Sequence, residues 1–277
     1  MNKPLKRAFL NTEDGQILYR IAGEGDPLVL LHQNQTSSNE YLELMSILSK
    51  NRCVIAMDFL GFGDSDKPPR MYSIEDYAQT VLLLLDKLGI NKTDILGNHT
   101  GAFVAGELAV AYPEKINKLI LSNPVVFGEE GKSALLKRFE QGFEIKADGS
   151  HLMERWAART QYVNSAKLNH RLVLDDLKCF GYPLYAVWAV ANYCLNMEQR
   201  FSQIKCPTLI IWGTVDIKQF EKLGLFKAEK RVSCLKVIPH AKMFDIEGGT
   251  ICMMNQMPEE ISQIVTEFLD SSEITNL

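Results

Sequence analysis

The stretch Gly97-Asn98-His99-Thr100-Gly101 holds one histidine between two glycines. It follows the strand-like run Thr93–Leu96 and precedes the small-residue segment Ala102–Ala111. A side chain projects from a tight strand-to-helix turn only where its flanks are small, and Gly97 and Gly101 meet that need. Imidazole gains and loses a proton near neutral pH, so His99 suits acid–base work better than nucleophilic attack, because an acyl-imidazole is itself labile. A carboxylate able to tune such a ring is Asp216, just past the apolar run Pro207–Trp212. Cys252 carries a potential nucleophile, but a buried, inert thiol is the commoner case. The six cysteines are scattered without a Cys-x-x-Cys pair, so neither a zinc site nor a disulfide framework is indicated. His151, His170 and His240 read as solvated or structural.

These groups need a frame. Arg7–Asn11 and Gln16–Ile21 alternate around Glu13-Asp14-Gly15 and predict a β-hairpin. Pro27–Leu31, Cys53–Met57, Thr93–Leu96, Leu119–Leu121, Pro207–Trp212 and Lys242–Ile246 are short strand-like runs, most of them continuously apolar. Continuous apolar runs fit strands buried on both faces. Between them Asn39–Leu48, a Ser73-capped segment to about Leu88, Ala102–Ala111 and Pro258–Leu269 have helical character. From 126 to 205 strand-like runs vanish, and Ser133–Phe143, Ser150–Tyr162, His170–Phe180 and Pro183–Leu195 read as amphipathic helices. The expected architecture is α/β: an open, mostly parallel sheet with helices on both faces. Its core is 1–125 and 206–277, and a four-helix cap is inserted at 126–205. A pocket is expected between cap and sheet, with His99 at its floor. The cap aromatics Trp156, Tyr185 and Trp188 recur at near-helical spacing; core packing is their default use, and lining an apolar pocket is the alternative.

With 277 residues, 46% hydrophobic and 23% charged, the composition is that of a globular protein. The net charge of −4 and the lack of a dense Lys/Arg stripe give no footprint for nucleic acid. No apolar run approaches the roughly 20 residues needed to span a bilayer. The N-terminus has no apolar core of a secretory signal, so a cytoplasmic location with reduced thiols is expected. No cofactor or metal motif is present, and the expected partner is a small-molecule substrate.

Several segments, in order, resemble the α/β-hydrolase superfamily, in its capped form, over nearly the full chain. Leu30-Leu31-His32-Gln33 looks like the strand end and oxyanion turn, usually written with Gly after His. Asp58-Phe59-Leu60-Gly61-Phe62-Gly63-Asp64-Ser65-Asp66 looks like the family's Asp-x-x-Gly-x-Gly-x-Ser-Asp loop. Gly97–Gly101 sits at the nucleophile elbow, Trp212-Gly213-Thr214-Val215-Asp216 at the strand end bearing the acid, and Gly248-Gly249-Thr250-Ile251 where the catalytic histidine loop belongs.

The resemblance implies an oxyanion hole made of the backbone N–H groups of Thr100 and Gln33. It implies a supporting role for His32, and puts Asn34 in the same polar loop. Asn123 falls where some relatives keep an alternative acid, yet its amide cannot ionise. The departures are at the centre. His99 stands where the family has Ser, Cys or Asp, and Ile251 stands where it has the catalytic His; a one-residue shift puts Thr250 there, with Cys252 following. A serine–histidine–carboxylate relay therefore cannot run. The expected activity is that of an α/β-hydrolase-superfamily enzyme on a small carbonyl compound, of lyase, isomerase or cyclase type. His99 would be the acid or base and Asp216 its tuner. The alternatives are hydrolysis by water that His99 activates, and a small-ligand binding protein without turnover.

Overall fold

The computed structural model describes residues 4–271 except 127, 143, 180–184 and 239. At one edge of the sheet β1 (Lys6–Thr12) and β2 (Gly15–Ala22) form the expected hairpin, with Thr12 opposite Gly15. Then come β3 (Pro27–Leu31), β4 (Cys53–Met57), β5 (Thr93–Asn98), β6 (Ile116–Ser122), β7 (Thr208–Gly213) and β8 (Ala241–Ile246). The sheet order is β1-β2-β4-β3-β5-β6-β7-β8; β2 is antiparallel to β4, and the pairs from β4 through β8 are parallel. The architecture is thus the α/β-hydrolase fold expected from the sequence, an eight-stranded, mostly parallel sheet flanked by helices.

Side chains alternate across a strand, so each apolar run feeds two layers. Val29, Leu31, Ile55 and Ile95 pack into one apolar cluster, while Leu28, Leu30, Val54, Ala56 and Leu96 pack into another. The first is covered by α2 (Ile74–Lys87) and α3 (Thr100–Ala111), the second by α1 (Leu42–Leu48) and the closing α12 (Pro258–Asp270). α2 begins with a complete capping box: Ser73 Oγ accepts from the Asp76 N–H, and the Asp76 carboxylate accepts from the Ser73 N–H.

Between β6 and β7 the described chain carries five helices, one more than expected: α4 (Glu129–Gly142), α5 (Ser150–Arg159), α6 (Ala166–Leu177), α7 (Tyr185–Tyr193) and the short α8 (Met197–Phe201). The expected helix ends at Phe180 and Pro183 lie outside the described residues. α6 is clasped to the core: the Ser37 hydroxyl and the Asn39 amide donate to Asp175, and Arg171 pairs with Glu43. Phe201 of α8 fits against Gly106 of α3, where a Cβ would come within 2.3 Å of the ring.

Two helices between β7 and β8 were not anticipated, α9 (Thr214–Lys222) and α10 (Arg231–Val237). Asp216 therefore lies in the first turn of α9 rather than at a bare strand end. After β8 the small α11 (Met253–Gln256) leads into α12. No helix among the described residues is long and apolar enough to cross a membrane.

Candidate active site

β5 ends at Asn98 and α3 starts at Thr100, leaving His99 alone to make the turn. Its backbone is at φ 45°, ψ −107°, a region that L-residues rarely occupy. Room for this turn comes from the glycines. A Cβ on Gly97 would lie 2.0 Å from the Gly101 carbonyl oxygen, and one on Gly101 would lie 1.9 Å from that of Leu31. The ring emerges into a cavity of about 240 Å³ between the strand C-termini and helices α4, α5 and α7. Thr100, the first residue of α3, lines the cavity, at the helix end whose leading N–H groups have no acceptor within the helix and which carries partial positive charge.

His99 Nε2 lies 2.8 Å from Asp216 Oδ2. Two positions 117 residues apart are thereby joined, and β6 is the spacer between the strands that lead to them. Asp216 is held through its own backbone: the N–H groups of Val215 and Asp216 both donate to Gly249 O at 3.0 Å. Gly213 and Gly249 allow that approach, since a Cβ on Gly213 would lie 2.5 Å from Gly249 O. Phe220, one turn further along α9, stacks on the imidazole at a centroid distance of 5.5 Å. With Nε2–H donated to the carboxylate, a neutral His99 keeps its lone pair on Nδ1.

The polar loop after β3 is organised by Glu40, a residue to which sequence reasoning gave no role. This carboxylate is buried and accepts the Gln33 N–H at 2.9 Å on Oε2. On Oε1 it accepts Gln33 Nε2 at 3.1 Å and Asn98 Nδ2 at 2.5 Å, and Thr36 Oγ1 lies 3.1 Å from Oε2. Burial pushes the Glu40 carboxyl above its ordinary range, while the bonds from Gln33, Asn98 and Thr36 pull the other way. The expectation that the Gln33 N–H serves an oxyanion hole is therefore corrected. That donor is directed to Glu40, inside the protein.

Of the other positions singled out by sequence, Asn34 and Ile251 also line the cavity. His32 lies beneath it, with Nε2 accepting from the Phe59 N–H at 3.0 Å and Nδ1 donating to Gln33 O at 2.6 Å. Burial lowers its proton affinity, so His32 should stay neutral, protonated on Nδ1, at a pH where exposed histidines are charged. A ring ¹⁵N–¹H spectrum near pH 6 checks this; an imidazolium pattern for His32 would contradict it.

The remaining positions are structural or lie elsewhere. Asn123 accepts the Gly213 N–H through Oδ1 and ties the ends of β6 and β7 together. Thr250 accepts the Cys252 N–H and bonds Gln256. Cys252 packs against Val163 and Leu172, where burial pushes its thiol up to about 12. Trp156 is half-buried on α5 and does not line the cavity, and Trp188, 37% exposed, borders a separate surface groove. The Tyr185 side chain is outside the described residues. Tyr162, another of the cap aromatics, does line the cavity, and walls that sequence reasoning missed include Phe103, Leu135 and Phe220, while Arg155 enters from α5 with Nε on Asp176.

The comparisons agree with this frame. The sequence profile of the alpha/beta hydrolase fold family matches residues 26–218. A cis-3-alkyl-4-alkyloxetan-2-one decarboxylase of Shewanella oneidensis is 32% identical, over 98% of this chain and 90% of its own length. An (E)-2-((N-methylformamido)methylene)succinate hydrolase of Acinetobacter baylyi is 22% identical, over 90% of this chain and 92% of its own. The crystal structure of E-2-(acetamidomethylene)succinate hydrolase superposes with a TM-score of 0.79 at 19% identity, over 97% of this chain and 100% of that one. By sheet order, by the turn between β5 and α3 and by the profile match, the chain belongs to the alpha/beta hydrolase fold family.

Proposed function

We propose that this chain is an enzyme that moves a proton on a small carbonyl compound, with His99 as acid or base at the elbow position. The observation that carries the reading is the 2.8 Å contact of His99 Nε2 with Asp216 Oδ2 at the floor of the cavity. Asp216 fixes the tautomer and stabilises an imidazolium when it forms, and Nδ1 is the atom that takes or gives the proton. The Thr100 N–H, at the positive end of α3, polarises the carbonyl as charge develops on it. Apolar walls exclude water, and the helices at 126–205 act as the cap that closes the site.

Non-hydrolytic chemistry is the favoured class, with His99 moving a proton on the substrate itself. The decarboxylase of Shewanella oneidensis, at 32% identity, supports that preference. Its rival is hydrolysis with water activated by His99, in keeping with the relatives named as hydrolases.

The test uses purified wild type and His99→Ala on β-lactones, β-keto acids and activated short-chain esters, with a fluorophosphonate as a serine probe. The expected result is turnover of a lactone or keto acid that falls by about 10²–10⁴-fold in His99→Ala. Ester turnover lost in His99→Ala, without fluorophosphonate labelling, would move the assignment to the hydrolytic rival. Turnover indifferent to His99→Ala would sink the acid–base role.

A further inference from the structure

Gln33 has three hydrogen-bond donors, and all three are engaged within the protein. Its backbone N–H goes to Glu40 Oε2, and its amide nitrogen goes to Glu40 Oε1 and, at 2.8 Å, to Ile251 O. A backbone carbonyl can only accept, so the atom facing Ile251 O must be the nitrogen. The orientation of the Gln33 amide is fixed by that requirement, and Oε1 is the atom left over. Gln33 is 5% exposed, it lines the cavity, and Oε1 has no donor among the described residues.

Two more acceptors share this floor. Neutral His99 keeps the Nδ1 lone pair, because Nε2 faces Asp216. Asp216 Oδ1 is buried with no donor among the described residues. Asp216 Oδ1 is too deeply buried for a ligand to reach, and Gln35 Nε2 is a buried donor without a partner among the described residues beside the same cavity, but the Gln33 acceptor that no described protein group serves gains from a ligand that brings a donor. Thr100, the first residue of α3, lines the cavity too, and Phe103, Leu135 and Phe220 make apolar walls.

We infer that the cavity takes a carbonyl compound that also carries a hydroxyl group, with the hydroxyl donating to Gln33 Oε1 and the carbonyl oxygen accepting from the Thr100 N–H. This rests on the reading above only in sharing its carbonyl and its cavity. Gln33 is then a specificity determinant, and Glu40 is the positioning residue that turns its amide outward.

The test reads binding rather than turnover. The probes are 3-hydroxy-1-phenylpropan-1-one, its methyl ether and propiophenone, which differ at the donor and share the aryl ketone. Dissociation constants come from NMR titration of wild type and Gln33→Met, which keeps side-chain length and removes the acceptor. The hydroxy ketone should bind wild type about tenfold more tightly than either analogue, since one hydrogen bond to a buried group is of that order. In Gln33→Met the preference should fall below about twofold. Should that variant not fold, the Gln33 side-chain amide resonances of wild type serve instead: they should shift with the hydroxy ketone and stay put with the ether. Equal affinities, no binding of the hydroxy ketone, a preference that survives Gln33→Met, or an unmoved Gln33 amide would each overturn the inference. Since no catalysis is measured, a hydroxyl preference without His99-dependent turnover would leave this ligand class standing while the acid–base role falls, and the reverse outcome separates them equally well.

Discussion

Gly101→Ala is expected to destabilise the fold by at least about 3 kcal/mol, well beyond an ordinary surface substitution. The new methyl carbon would sit 1.9 Å from the carbonyl oxygen and 2.5 Å from the carbonyl carbon of Leu31. Both obstacles are backbone, so no rotamer change relieves them. Leu31 is also paired with Gly97 across β3 and β5, so moving it disturbs the centre of the sheet. Gly128→Ala is the control, because a Cβ there meets nothing within 4 Å. Urea denaturation of the two variants beside wild type measures the difference. A Gly101→Ala protein within about 1 kcal/mol of wild type would show that α3 can retreat from β3, contrary to the packing described here.

The second large effect belongs to Glu40. Its removal in Glu40→Ala takes the acceptor from the Gln33 N–H, from one of the two hydrogens on Gln33 Nε2 and from Asn98 Nδ2 in a buried setting, the other Gln33 amide hydrogen keeping Ile251 O. An orphaned buried donor costs about 1–3 kcal/mol, so a total loss of about 3–5 kcal/mol is expected by chemical denaturation. Glu40→Gln keeps the shape and removes the titration. Burial holds the folded-state carboxyl above its ordinary value of 4.5. A raised folded value means that the group's contribution to stability is fully present below the ordinary value and is lost as pH rises through the folded one. The stability of wild type relative to Glu40→Gln should therefore decline from about pH 4.5 upward. Denaturation of both proteins across that window reads the slope. A flat difference would mean that the four donors offset the burial completely.

What could be read from the chain beforehand divides along physical lines. The strands were legible because a parallel strand buried on both faces is a continuous apolar run, as Pro27–Leu31 and Cys53–Met57 are. The helix from Ser73 was legible because its cap is local, Ser73 and Asp76 being three residues apart. α9 was missed because Thr214–Lys222 is short and follows β7 without an intervening loop, so that Asp216 read as part of a strand end rather than as the first turn of a helix. Glu40 was missed for another reason. A carboxylate at the start of a helical segment reads as solvated and favoured by the helix dipole, and its burial depends on Asn98, which is 58 residues away. His99 and Asp216 were each visible by type and position, but their contact depends on how β5 and β7 end on either side of β6. The Gln33 N–H shows the limit most sharply, since a backbone donor carries no side-chain label and its direction changed once Glu40 had claimed it.

The turn at His99 separates two kinds of inheritance. The close packing that makes the turn falls on Gly97, Gly101 and the end of β3, whereas the recorded partners of the side chain at 99 are Asp216 and Phe220, on the cavity side. A lineage could exchange the residue at 99 without renegotiating the core, while the positions two residues to either side admit almost no change. Novelty in reaction type is thus concentrated at a socket with one interchangeable part, and that part can drift to a different chemistry long before the scaffold shows any trace of it.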